Sequence, residues 1–414
     1  MKELFGNAIV GQSGGPTAAI NATLAGVVRG AIESKYIRTL YGMRNGIEGL
    51  LAGNIIDLCQ ALDTPERLRM LEHTPAAALG SCRKKLPDLN SSKDADIAVY
   101  EKIFDIFAQN DIRYFFYIGG NDSMDTVSKI SAFAARIGYD IRVVGIPKTI
   151  DNDLVETDHT PGYGSAAKYV ATTIQEIIRD CAVYTTKAVT IVEVMGRDAG
   201  WLTAASAVGS IVNGQAPDLV YLPERAFDME DFYASIEEAF EKHPNLVIAV
   251  SEGIRFADGR YVGESAQSGS TDVFGHKYLS GTAKALEIAV KERFSCKVRS
   301  IELNLPQRCA GHLLSEADIS ESVSIGREAV IAAAENGISG EMMVFERVSD
   351  QPYRIAIGHR RVAEIANKVK YVPAEYINER GSFVTEECCR YILPLIEGET
   401  RPTYYKGLPE YLVL

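Results

Sequence analysis

Residues 142–153 read RVVGIPKTIDND. The stretch RVVGIP (142–147) is an apolar run closed by proline, the pattern of a buried strand. It is followed at once by a cation (Lys148), a hydroxyl (Thr149) and two carboxylates (Asp151 and Asp153), with Asn152 between the acids. Similar runs recur as NAIVG (7–11), RTLYGM (38–43), RYFFYIGG (113–120), AVTIVEVMG (188–196) and NLVIAVSEG (245–253). Longer amphipathic stretches, read as helices, occupy 17–34, 94–109, 123–138, 164–181, 200–212, 229–242, 280–292 and 319–336. Strands alternating with helices of this length imply parallel sheets covered by helices on both faces. In such sheets ligands bind beyond the carboxyl ends of the strands. The polar crowding after residue 147 therefore marks a place to look for chemistry. Beyond about residue 340 the alternation weakens and the pattern predicts little.

Composition narrows the choice of function. A chain of 414 residues can form two domains. Its net charge of −12 argues against a nucleic-acid or anionic-membrane binder, so a site for an anion must gather cations locally. The seven cysteines form no CxxC pair and no zinc spacing, which predicts reduced thiols. No apolar run is long enough to span a bilayer. The stretch MKELFGNAIVGQSGG is interrupted by Glu3 and by glycines and is not expected to act as a secretion signal. A soluble cytoplasmic protein is the expectation.

In VGQSGGPTAAI, Gly14 and Gly15 allow close backbone approach to a ligand, and a helix expected from about Thr17 would favour an anion. The loop spells neither a Walker A motif nor GxGxxG, and alone it also reads as an ordinary tight turn. In YIGGNDSMDT, Asn121 and Asp122 follow a glycine pair, and Ser123 is a candidate helix cap. Asp122 is suited to Mg²⁺ if a phosphate lies opposite, since that ion takes one or two carboxylates, water and substrate oxygens. Asp151 could accept a proton from a sugar hydroxyl, Thr149 could donate to a phosphate, and Lys148 could neutralise charge on transferring oxygens. Arg197, after Gly196, offers a planar fork suited to phosphate, although taken alone a salt bridge to Asp198 or to a neighbouring helix is the better reading. Arg83, Lys84, Lys85, Arg299 and Arg308 read singly as solvated charges. Glu252 in VSEG could bond a sugar hydroxyl or simply precede a helix. His276 reads as structural.

Taken together, these loops resemble the phosphofructokinase family. The motifs that carry the resemblance are the GGP loop (14–16), LGSCR (79–83), GGNDS (119–123), PKTIDND (147–153), VEVMGR (192–197), VSEG (250–253), DVFGH (272–276) and the span from Arg299 to Arg308. They span about three quarters of the chain, and their combination is specific where no single piece is. The resemblance implies an α/β protein of two three-layer domains with mainly parallel sheets and an active site in the cleft between them. It implies a larger donor-phosphate domain over 1–162, joined by part of 309–366, a smaller sugar-phosphate domain over 163–308, and a C-terminal extension over 367–414.

It also implies roles. Asp151 matches the base that deprotonates the 1-hydroxyl of fructose 6-phosphate. Thr149, Ile150, Met195, Gly196, Arg197 and Glu252 match contacts to the sugar or the transferring phosphate, and Arg299 and Arg308 match arginines on its 6-phosphate. Gly14, Gly15, Arg83, Asp122 and Lys148 match the donor site, and Asn121, Asp122 and Asp153 the surroundings of Mg²⁺. Family members that use ATP usually carry glycine at the positions of Asp122 and Lys148. A carboxylate there repels the nucleotide's α-phosphate, and an ammonium suits a smaller donor. The pair is the signature of pyrophosphate-dependent members. The expected partners are fructose 6-phosphate and pyrophosphate, in a homo-oligomer (dimer or tetramer), with no nucleic acid and no membrane. Three departures stand out: Asn121 replaces an aspartate frequent in the family, Ala188 stands near the place of an arginine reaching from a neighbouring subunit, and LPQ precedes Arg308. The alternatives are an ATP-dependent member, a silent sugar-phosphate-binding subunit and, more remotely, a lipid kinase with a similar glycine loop.

Overall fold

The computed structural model describes residues 3–266 and 281–414. DVFGH (272–276), with His276, lies outside the described residues. The larger sheet takes its strands from both ends of the described chain. They are β1 (Gly6–Gln12), β2 (Ile37–Met43), β3 (Ile55–Asp57), β4 (Ile112–Gly119) and β5 (Arg142–Pro147), and a later hairpin adds two more. The smaller sheet holds β6 (Ala188–Val194), β7 (Leu219–Tyr221), β8 (Asn245–Ser251) and β9 (Lys297–Glu302). After a short strand β10 (Leu314–Ser315), which pairs with Glu399–Thr400, come β11 (Glu341–Asp350) and β12 (Tyr353–Arg361). The orders are β12-β11-β5-β4-β1-β2-β3 and β7-β8-β6-β9. All neighbours are parallel except β2/β3 and β11/β12. The expected α/β class with mainly parallel sheets is what is found.

Both sheets are buried on two faces, as their apolar strands require. Along β4, Tyr114, Phe116 and Ile118 pack with the helices Ile20–Glu33 and Glu316–Ala334. Phe115 and Tyr117 point the other way, toward the helices Asp94–Gln109 and Asn121–Ile137. The smaller sheet alternates likewise, with Val192 and Val194 on one face and Val189 and Ile191 on the other. Residues 372–395 pack on the first of these two faces. Helices Ile20–Glu33 and Glu316–Ala334 touch backbone to backbone. A methyl at Gly26 would sit 2.1 Å from Val323 O, and one at Gly326 2.2 Å from Thr23 O. That contact explains glycines that would otherwise weaken a helix.

Several boundaries differ from expectation. The first helix starts at Ile20, not Thr17, because Pro16 and the turn in which Ala19 N–H donates to Thr17 Oγ1 precede it. The helix expected over 200–212 is two short ones, Trp201–Ala205 and Gly209–Val212. β3, β7, β9 and the β11–β12 hairpin were not anticipated. No helix among the described residues is long and apolar enough to cross a membrane. All seven cysteines are unpaired.

Behind β5 a buried charge network ties the chain together. His159 Nδ1 lies 2.8 Å from Asp158 and Nε2 2.7 Å from Glu321 on helix Glu316–Ala334. Its ring stacks on Phe345 of β11, and Asp158 also pairs with Arg347 at 3.0 Å. Burial pulls the imidazole's pKa down, but the bonds to Asp158 and Glu321 outweigh it and leave the pKa above the ordinary 6.5. The folded state thus holds this proton more tightly than the unfolded chain. The resulting stabilisation is complete below 6.5 and fades as pH rises through the raised value. His159→Gln is expected to lower the melting temperature most near about pH 6, and less near about pH 9. Thermal unfolding at the two pH values checks this, and a gap that widens at high pH contradicts it.

Candidate active site

Four strand ends and two further segments meet in one cleft of about 450 Å³. β1 contributes Ser13, Gly14 and Gly15. β4 contributes Gly120 to Ser123, and β5 contributes Lys148, Thr149, Asp151 and Asp153. β6 contributes Arg197 to Ala199 from the other sheet. The loop 83–85 and the C-terminal residues Asn367 and Val369 complete the wall. β1 and β4 are neighbours whose chains leave in opposite directions along the sheet, the place where open α/β sheets take ligands.

The glycine loop is held open by backbone bonds. Gly14, at φ +78°, donates its N–H to Cys82 O at 3.2 Å and accepts from Ser81 Oγ at 2.6 Å. Five residues separate it from the first helix, so it forms no helix N-terminus. The helix end facing the cleft is that of Asn121–Ile137, where Gly120 is the cap rather than the expected Ser123. Lys148 is 3 % exposed and donates from Nζ to Gly15 O at 2.6 Å. Nη1 of Arg308, in the short helix Pro306–Cys309, would lie 3.4 Å from a methyl at Gly15. Arg308 therefore belongs to this cluster.

Like charges crowd one another here. Burial pulls Lys148 down to about 8; Asp151 and Asp153 oppose the shift, and Arg308 and Arg83 add to it. Burial and then Arg83 lower Arg308. Burial, then the Asp153 carboxylate, pushes Asp151 upward, and burial does the same to Asp153. A polyanion among the cations and a divalent cation beside the carboxylates would each relieve a like-charge contact. No group of three His, Cys, Asp or Glu side chains close enough to hold a metal alone is found among the described residues. The carboxylates that line the cleft are Asp122, Asp151, Asp153 and Asp198.

Asp122 forms an ion pair with Lys85 at 3.0 Å. Asp198 bonds Arg255 rather than Arg197, and the buried Arg197 Nε has no hydrogen-bond partner among the described residues. The turn carrying Arg197 is fixed from behind. Gly196 N–H donates to Glu252 at 3.2 Å, Met195 N–H donates to Gln307 Oε1 at 3.2 Å, and Ser251 Oγ donates to Gly196 O. Burial pushes Glu252 up to about 8.

Three expectations are corrected. Asn121, expected as a metal ligand, has both ends of its amide engaged: Nδ2 donates to Lys368 O at 2.6 Å and Oδ1 accepts from Asn367 N–H at 3.0 Å. Ile150 buries its side chain in the core of the smaller sheet and is not among the residues that line the cleft. Arg299 does not reach the cleft. Its register opposite Thr190 places it three residues short of the end of β9, beside Asp180 at 4.0 Å and in a separate pocket with Cys181 and Tyr184. Lys85, Asn367 and Val369 line the cleft unforeseen.

Comparison with known proteins places the chain in one family. The sequence profile of the Phosphofructokinase family matches residues 7–303. The chain is 42% identical over 412 residues to a pyrophosphate–fructose 6-phosphate 1-phosphotransferase of Methylococcus capsulatus, covering 99% of this chain and 96% of that one. It is 41% identical over 407 residues to an enzyme of the same name from Halomonas elongata, covering 98% and 95%. The crystal structure of a pyrophosphate-dependent phosphofructokinase from Nitrosospira multiformis superposes with a TM-score of 0.88 at 36% identity, covering 99% of this chain and 96% of that one.

Proposed function

The chain belongs to the phosphofructokinase family, and on that footing we propose that it transfers a phosphoryl group from pyrophosphate to the 1-hydroxyl of fructose 6-phosphate. The products are fructose 1,6-bisphosphate and phosphate. The step is reversible and serves glycolysis and gluconeogenesis. The observation that carries this reading is the convergence of Lys148, Asp151, Asp122 and Arg197 on one cleft between the strand ends of two sheets.

Asp151 takes the proton of the sugar's 1-hydroxyl as that oxygen attacks. Its backbone N–H is held by Thr149 Oγ1 at 3.1 Å, which fixes the turn presenting the carboxylate. One N–H of Lys148 is spent on Gly15 O, so its other two are free to meet the donor. Lys148 and Arg197 neutralise the charge on the transferring group and the leaving phosphate. Gly14, Gly15 and Arg83 receive the far phosphate of the donor. The sugar lies toward Met195, Gly196, Glu252 and the backbone of 149–151, with Arg308 on its 6-phosphate. Asp122 and Asp153 would hold Mg²⁺, which would supply neutralisation of charge on the donor. Asp122 also turns away a nucleotide, whose α-phosphate would meet a carboxylate. We place the enzyme in the cytoplasm as a homo-oligomer.

Phosphorus NMR on the purified chain with Mg²⁺, fructose 6-phosphate and pyrophosphate tests the reading. The pyrophosphate resonance is expected to fall as signals of phosphate and the sugar bisphosphate grow together. Growth of phosphate alone, or of neither, contradicts it.

A further inference from the structure

The segment 367–372 bonds to three of the elements that build the cleft or stand behind it. Its first residues are clamped by the Asn121 amide, which donates to Lys368 O and accepts from Asn367 N–H. An aspartate at 121 could not donate and would set a carboxylate against that carbonyl. Lys370 N–H then donates to Asp153 O at 2.8 Å. Lys370 Nζ passes behind the loop that bears Asp151 and donates to Asn152 Oδ1 at 3.1 Å, Thr157 O at 3.2 Å and Asp158 O at 2.7 Å. Asn152 sits at φ +53°, in the left-handed region that asparagine adopts more readily than most residues with a side chain.

The segment then reaches the other sheet. Lys370 O accepts from Trp201 Nε1 at 3.0 Å. Glu224 Oε1 accepts from Val372 N–H at 2.9 Å and from Gly200 N–H at 2.8 Å, three residues beyond Arg197. One extended stretch thus spans the donor loop, the Asp151 loop and the Arg197 turn. These three come from two sheets, and their relative placement decides whether donor and acceptor meet in line.

We propose that residues 367–372 form a strap that registers Asp151 against Arg197, with Lys370 and Glu224 as its positioning residues and Asn121 as its anchor. The inference rests on the functional reading above, and it assigns the C-terminal segment to the active site.

The test begins by measuring kcat and both KM values of the unaltered enzyme with Mg²⁺-pyrophosphate and fructose 6-phosphate. Absence of turnover there would remove the functional reading itself. Given turnover, Lys370→Met is expected to lower kcat by about 10²-fold with both KM values within about threefold, the mark of misplaced rather than missing substrate contacts. Glu224→Ala is expected to do the same, whereas Glu224→Gln keeps the accepting oxygen and stays near the unaltered rate. Circular dichroism and melting temperature report folding. If Lys370→Met does not fold, Asn121→Ala at the cleft surface decides, with kcat reduced at saturating Mg²⁺. Lys370→Met with kcat within threefold, Glu224→Gln as impaired as Glu224→Ala, or Asn121→Ala that only raises the Mg²⁺ requirement each overturns the proposal.

Discussion

Asp151→Asn is expected to abolish nearly all turnover, lowering kcat by about 10³-fold, while the KM for fructose 6-phosphate stays within about threefold. The amide fills the same volume and leaves Thr149, Arg308 and Glu252 where they are. It cannot take the proton of the attacking hydroxyl. The same substitution is expected to raise the melting temperature. In the folded protein the Asp151 carboxylate is buried beside Asp153, and both burial and that neighbour disfavour its charge. Removing a charge from such a site relieves a desolvation cost, and active-site substitutions often trade function for stability in this way. Steady-state kinetics and thermal unfolding of the two proteins check both halves. An Asn variant with ordinary kcat removes Asp151 from the base's role.

The second large effect concerns the donor. Replacing Asp122 and Lys148 together by glycine is expected to lower kcat/KM for pyrophosphate by about 10³-fold, on the scale of losing a main stabiliser of transferring charge. Lys148 is enclosed, bonded to Gly15 O, and close to both acids of its loop, so glycine there leaves a hole as well as a missing charge. Asp122 is more exposed and balanced by Lys85. Its loss alone is expected to cost pyrophosphate use less than loss of Lys148. Single and double variants assayed with saturating Mg²⁺ separate the two contributions. A double variant with undiminished pyrophosphate use contradicts the assignment of the donor site.

Much of this was legible in the sequence. The strands β1, β4, β5, β6 and β8 announce themselves as apolar runs; the first four deliver their polar loops to the cleft, and the loop after β8 braces the Arg197 turn through Glu252. Asp151, Lys148, Asp122 and Arg197 could be named because a strand end is a fixed address in a parallel sheet. The β11–β12 hairpin was less visible. Only the first half of β11 is buried, and its second half alternates with solvent-facing residues. Arg299 shows a different limit: it stands in a matching stretch, yet strand register sends it to another pocket. Asn121 looked like a weakened metal ligand because a sequence does not show which backbone an amide will grip. In the strap at 367–372 side chains meet main-chain N–H and C=O groups far away in sequence, which leave no residue pattern to read.

The central claim is that an ammonium and a carboxylate select the inorganic donor over the nucleotide. The measurement that tests it most directly is kcat/KM of the purified enzyme for Mg²⁺-pyrophosphate and for Mg²⁺-ATP, with fructose 6-phosphate saturating. The account predicts a preference for pyrophosphate of at least about 10³-fold, the size of the charge effects invoked at Asp122 and Lys148. Equal use of the two donors, or a preference for ATP, would contradict it.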